Sequence, residues 1–150
     1  MNVWPSSVIG LRFTPREVAK ITGVDEVRQR LIAKRHFDPI GDIAQRSGAH
    51  RRWSWRAMQM LAVFEDLMAD LGKADVALRM VAAAEVAQGF DLDLRSHPDG
   101  DVLIVVHFQH PVLTEPRLTS VAALANDQPS RFYACNLSAL QRRMAAAAEM

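Results

Sequence analysis

The sequence predicts an α+β chain. Capped runs of helical spacing occupy residues 14–33, strong apolar helical periodicity covers residues 54–88, and the pattern changes to alternating and β-branched from residue 90 onward. At 150 residues, 49% hydrophobic and 23% charged, the chain has the composition of an ordinary globular domain. That excludes a disordered tail, a collagen-like fibre and a disulfide scaffold. A single cysteine, Cys135, excludes an internal disulfide and a four-thiolate zinc site. No apolar run approaches ~18 residues, and the N-terminus shows no basic region ahead of a long apolar core. Neither a membrane span nor a secretory signal is expected, and a cytoplasmic location follows.

Val8, Ile9 and Leu11 suggest a short lead-in strand. Thr14-Pro15-Arg16-Glu17 then reads as a capping box with proline at the first helical position. Val18, Ala19 and Ile21 give this helix an inner face, and Gly23 ends it. Asp25 caps a second helix, whose seam is expected at Val27 and Leu31 with Arg28, Gln29 and Arg30 largely off it. Two short helices joined by a tight glycine turn describe a helix-turn-helix. Pro39, Gly41 and Gly48 break periodicity, so residues 36–53 are expected to form a wing ending in the extended segment His50-Arg51-Arg52-Trp53. An alternative stays open. Asp42-Ile43-Ala44 and Gly48-Ala49 echo Glu17-Val18-Ala19 and Gly23-Val24, so Ile43-Ala44 would instead open a second helix-turn-helix.

Ser54 caps the next helix, in which Trp55, Met58, Leu61, Met68 and Leu71 recur at spacings of three and four until Gly72. Met60, Val63, Phe64 and Leu67 widen its apolar arc, so either the C-terminal part or a second copy of the chain must cover it. Residues 74–88 form an alanine-rich helix with Val76, Met80, Val81 and Ala84 on its face, closed by Gly89 and suited to self-association. Phe90-Asp91-Leu92-Asp93-Leu94 alternates like a half-exposed strand, and residues 102–108 read as a buried one, the two forming a hairpin around Pro98-Asp99-Gly100-Asp101. Residues 117–124 and 131–135 are further strands, and Asn136 caps a final helix with Leu137, Leu140 and Met144 inward.

The net charge of +1 conceals an asymmetry. Residues 1–56 carry eleven Lys/Arg against five Asp/Glu, a balance of +6, whereas residues 57–150 carry seven against twelve, a balance of −5. A cationic front on an anionic body suits a nucleic-acid partner. Little else carries chemistry. Gly-rich phosphate loops, Gly-x-Ser-x-Gly turns and His-Glu-x-x-His helices are missing, so no catalytic site, cofactor or metal is expected. Cys135 reads as a packed small hydrophobe. His107 and His110 fall on opposite faces of a strand, and Asp91, Asp93, Asp99 and Asp101 lack calcium-loop spacing and read as a solvated acidic face.

The basic front remains. A helix fits the major groove and reads base edges with its first residues, here Asp25, Glu26, Arg28 and Gln29. Arg28 would pair with guanine and Gln29 with adenine. Lys34, Arg35, Arg51 and Arg52 would neutralise phosphates, while His50 frames the wing and Trp53 anchors it to the core. Arg16, Lys20 and Arg30 complete the expected DNA-binding set.

Phe13-Thr14-Pro15-Arg16-Glu17-Val18-Ala19-Lys20-Ile21-Thr22-Gly23-Val24 resembles the opening helix of MerR-type winged helix-turn-helix regulators. Continuing without gaps, Arg30 falls on that family's recognition-helix arginine, and Phe37 and Pro39 on its wing entry. After a two-residue insertion, His50-Arg51-Arg52-Trp53-Ser54 falls on its wing strand. The resemblance covers about residues 12–71. Gln29 replaces the family's buried leucine, Leu31-Ile32 its paired tyrosines and His36 its wing-entry glycine. Gly72 and Gly89 leave no room for its long coiled coil, and its metal-sensing cysteines are missing. The resemblance thus implies DNA binding without metal sensing and leaves the mode of pairing open.

Together these readings predict an N-terminal winged helix-turn-helix over residues 12–71, a connecting or dimerising helix over residues 72–89, and a small C-terminal β-hairpin or sheet with a terminal helix over residues 90–150. The expected function is a homodimeric, sequence-specific transcription regulator of bacterial or prophage type that binds double-stranded DNA, with RNA polymerase or another regulator as a further partner. The competing readings are a DNA-architecture protein of the excisionase or small-terminase kind, and a protein-interaction module with an incidental basic surface.

Overall fold

The computed structural model describes residues 12–37, 45–47, 50–109, 112–113, 115–127 and 131–149. The suggested lead-in strand at Val8, Ile9 and Leu11, the breakers Pro39, Gly41 and Gly48, and His110 lie outside the described residues. The architecture is mixed α and β, with two small antiparallel sheets. Among the described residues no helix is long and apolar enough to cross a membrane.

Strand β1 (Arg12–Phe13) leads into helix α1 (Pro15–Thr22). The capping box forms: the Glu17 N–H donates to Thr14 Oγ1 at 3.2 Å and the Thr14 N–H donates to Glu17 Oε1 at 3.3 Å. Gly23 takes φ +78°, the left-handed turn that glycine adopts without strain. Helix α2 (Glu26–Ile32) starts where Asp25 Oδ1 accepts the Arg28 N–H at 2.8 Å. It runs on through a single π turn, Ala33–Phe37, so the helical path extends into the start of the wing expected from residue 36. Full burial of Ala33 and Phe37 holds that turn in place.

Strands β2 (Gln45–Ser47) and β3 (His50–Ser54) form an antiparallel hairpin with Arg46 opposite Arg51, and β1 pairs on the other side of β3. The segment 45–47 is therefore extended, which removes the alternative of a second helix-turn-helix there; residues 42–44 and 48–49 lie outside the described residues. Trp53 is completely buried and meets Phe37 edge-on at 6.4 Å, and Phe37 meets Phe64 at 5.7 Å. This aromatic chain ties the hairpin and the end of α2 to the helix that follows, each large buried ring contributing roughly 1.5–3 kcal/mol.

Helix α3 (Trp55–Leu71) is capped by Ser54 and stopped at Gly72, whose φ is +67°. Its apolar surface is covered within the chain. Helix α4 (Ala74–Val86), α1 and the terminal helix all pack on it. The inner face of α4, Val76, Ala77, Met80, Val81 and Ala84, is likewise buried in this core. The self-association expected of α4 therefore cannot use that face. Gly89 also plays a different part from the expected stop. Gln88 takes the left-handed φ of 59°, while a Cβ on Gly89 would lie 3.1 Å from Leu118 and Leu137 side-chain carbons and 3.2 Å from the Ala84 carbonyl oxygen. Close packing, not turn geometry, requires that glycine.

The C-terminal sheet is built around β4 (Val102–Gln109), which pairs with β5 (Val112–Leu113) and β6 (Arg117–Ser120) along one side and with β7 (Phe132–Asn136) along the other. One strand expectation holds only in part and another fails. Beyond Ser120 the chain turns into helix α5 (Val121–Asp127), because the Ser120 hydroxyl caps it by accepting the Ala123 N–H at 3.1 Å. Residues 90–94 form turns and not a strand. An alternating strand would put Phe90, Leu92 and Leu94 on one face, yet Phe90 and Leu94 are buried while Leu92 is 47% exposed. Of the four acidic residues expected on a solvated face, Asp91 and Asp99 are exposed, but Asp93 pairs with Arg95 at 2.8 Å and Asp101 with Arg142 at 2.8 Å. Helix α6 (Leu137–Glu149) closes the chain, capped by Asn136 as expected, with Leu137, Leu140 and Met144 buried. A single apolar cluster runs from Phe13 through Phe64 and Met80 to Ile104 and Met144, so all three expected segments share one core.

The 89–94 turns are held by two buried amides. Gln141 Oε1 accepts the Leu94 N–H at 2.7 Å, and Gln141 Nε2 reaches the carbonyls of Leu92 and Gly89 and the Gln59 Oε1 at 3.0, 3.2 and 2.9 Å. Gln59 Nε2 in turn donates to the Phe90 carbonyl at 2.8 Å. These side chains replace the partner strand that the segment lacks. Gln141→Ala strands several buried groups at once and is expected to lower unfolding free energy by at least ~2 kcal/mol. A urea titration with an unchanged slope checks this; a midpoint equal to that of the parent contradicts the role given to Gln141.

Candidate nucleic-acid interface

Among the described residues, helix α2 leaves one surface free for a partner, and its buried residues define it. Gln29, Ile32, Ala33 and Phe37 point into the core. Gln29 Nε2 donates to the carbonyls of Val24 at 2.8 Å and Pro15 at 2.9 Å, bracing the turn between α1 and α2. Its assignment to an adenine edge is therefore corrected: with 1% of its surface exposed, Gln29 cannot reach a base. The expected seam is corrected as well. Val27 and Leu31 face outward, 59% and 39% exposed.

Arg28 sits on the flank. Its Nε and Nη2 donate to the two Glu65 carboxylate oxygens of α3 at 2.8 and 3.1 Å, a bidentate pair that raises the guanidinium pKa and points the side chain at α3. Arg28 is thereby directed at α3, away from the outward face. Arg30 is exposed on the same face as Val27, Leu31 and Lys34, at the i, i+3, i+4, i+7 spacing of one helical stripe. Asp25 and Glu26 are exposed at the start of α2, with Asp25 spent on capping. Arg16, Lys20 and Arg35 are exposed, and Arg51 and Arg52 are half-buried on β3. His50 belongs to β3, and its side chain lies outside the described residues.

Charge pairing differs between the two parts of the chain. In the body, Arg79, Arg95, Arg117, Arg142 and Arg143 each meet a carboxylate. At the front, Arg28 and Arg56 are paired, but Arg16, Lys20, Arg30, Lys34, Arg35 and Arg52 have no ion pair among the described residues. Their charge is left to face solvent or a polyanion. No protein-family model matches this chain, and no curated protein matches its sequence.

A second surface depression, about 480 Å³, lies between α3, β7 and α6. Asp66, Asp70, Tyr133 and Arg143 line its rim, already engaged with one another through the Tyr133–Asp70 hydrogen bond and the Arg143–Asp66 pair. Burial pushes the Cys135 thiol at its floor up to about 11, so it stays protonated near neutrality, as a packed hydrophobe would.

Glu65, which pairs with Arg28, is not marked by any sequence signal, and His36 stands out in the sequence only as a replacement for the wing-entry glycine. His36 stacks on Phe64 with ring centroids 5.0 Å apart. Burial, then the charges of Arg28 and Arg35, hold its imidazole below the ordinary value of 6.5. The fold thus favours the neutral ring. The associated stability is complete above the unfolded-state value and is lost as pH falls through it toward the lower folded-state value. Urea midpoints are expected to decline between about pH 7.5 and about pH 5, and His36→Phe, which keeps a ring against Phe64, is expected to shrink that decline. An identical decline in the variant contradicts the assignment.

Proposed function

We propose that this chain is a sequence-specific double-stranded DNA-binding protein, a homodimeric transcription regulator of bacterial or prophage type. Its front, residues 12–71, would act as a winged helix-turn-helix in which α2 enters the major groove and the β2–β3 hairpin is the wing. The observation that supports this reading is the outward stripe of α2, where Arg30 and Lys34 have no ion pair among the described residues, while Arg79, Arg95, Arg117, Arg142 and Arg143 of the body each meet a carboxylate. The MerR-type resemblance of residues 12–71 supports the same assignment. Lys34, Arg35 and Arg52 are given to phosphates and Arg30 to a base edge. Pairing of two copies would use surfaces other than the inner faces of α3 and α4, which the chain's own core occupies.

The salt dependence of binding tests this directly. A protein neutralising six or more phosphates is expected to lose about 10³-fold in duplex affinity between about 50 and about 200 mM salt. No measurable affinity at the lower salt would falsify the proposal. Within it, Lys34→Ala and Arg52→Ala are expected to weaken binding to all duplexes alike, whereas Arg30→Ala costs ~1–3 kcal/mol at one base pair and relaxes preference there. Uniform weakening by Arg30→Ala would remove Arg30 from base reading. The homodimer predicts protected half-sites about one helical turn apart.

A further inference from the structure

The outward stripe of α2 is not purely cationic. Val27 and Leu31 stand on it at i and i+4, 59% and 39% exposed, with Arg30 and Lys34 alongside. Among the described residues none covers them, and the core side of α2 is filled by Gln29, Ile32 and Ala33. Bases are read in the major groove by hydrogen bonds, with one apolar feature on offer, the C5-methyl of thymine. Resting on the DNA-binding reading of this face, we propose that Val27 and Leu31 read thymine methyl groups, so that specificity on α2 is set by apolar contact as much as by Arg30.

The dimensions agree. Four residues of α-helix advance about 6 Å, close to two base-pair steps of about 3.4 Å. Val27 and Leu31 would therefore favour thymines about two steps apart, with the pair contacted by Arg30 among them. The choice of DNA over an apolar protein partner rests on charge. Arg30, Lys34 and Arg35 are exposed and have no ion pair among the described residues, so an apolar protein surface docking here would bury uncompensated cations. A duplex supplies phosphates for the cations and methyl groups for the valine and leucine together.

The test removes the methyl groups and nothing else. Duplexes are selected from a random pool with the full chain, and the best binder is remade with deoxyuridine in place of every thymidine. Each contacted methyl is expected to contribute roughly fourfold in affinity, so the uracil duplex binds more weakly by that factor per contact. The double variant Val27→Ala, Leu31→Ala, altered only at exposed positions, is expected to bind the two duplexes alike. A parent protein that binds both equally, a variant that keeps the full sensitivity, or a selected consensus without A·T pairs beneath α2 overturns the proposal. Failure of any duplex to bind at low salt refutes the DNA-binding reading itself and the inference with it.

Discussion

The burial of α3 on nearly every side is the constraint on which the rest of the structure depends. Met58, Leu61, Val63, Phe64 and Leu67 are all fully buried, and only Arg56, Ala69 and Asp70 of the helix are exposed, so its apolar surface is not left to solvent or to a second chain. It must be wrapped by its own polypeptide, and both ends of the sequence do the wrapping. The front contributes α1 and the Phe37–Trp53 pair, and the body contributes α4 and α6. One core results where the pattern of the sequence suggested separate segments.

That shared core fixes which way α2 faces. The helix is seven residues long and has little stability of its own. Three ties orient it: the amide of Gln29 on the α1–α2 turn, the Arg28–Glu65 pair on α3, and the burial of Ile32, Ala33 and Phe37. The pair alone contributes little, since Arg28 is 42% and Glu65 29% exposed. It is the buried amide and the apolar contacts that set the angle. Once they are satisfied, Val27, Arg30, Leu31 and Lys34 are turned outward together, and the function proposed for the chain follows from that orientation.

Much of this was legible because caps and breakers act locally. Thr14 and Glu17, Asp25, Ser54, Asn136, Gly23 and Gly72 mark their helix ends as their side-chain chemistry requires. Features set by distant contacts were not legible. The alternation of residues 90–94 has the period of a strand, but Gln59 and Gln141, 31 and 47 residues away from the groups they bind, take its backbone hydrogen bonds. On α2, apolar residue type pointed to Val27 and Leu31 as the inner seam, and only packing shows a glutamine inside and a valine outside. A signal for this did exist: the MerR-type resemblance sets Gln29 on a buried leucine position, and a helical wheel drawn from there turns positions 27, 30, 31 and 34 outward. The partner of Arg28 had no such signal, because Glu65 lies 37 residues away on another helix.

The most direct measurement of the central claim is amide hydrogen exchange of the full chain, free and with a saturating duplex. Added protection concentrated over α2 and β3, with α4, α5 and β7 unchanged, is the predicted result. A complex that forms but protects the α3–β7–α6 surface, leaving α2 as it was, would contradict it.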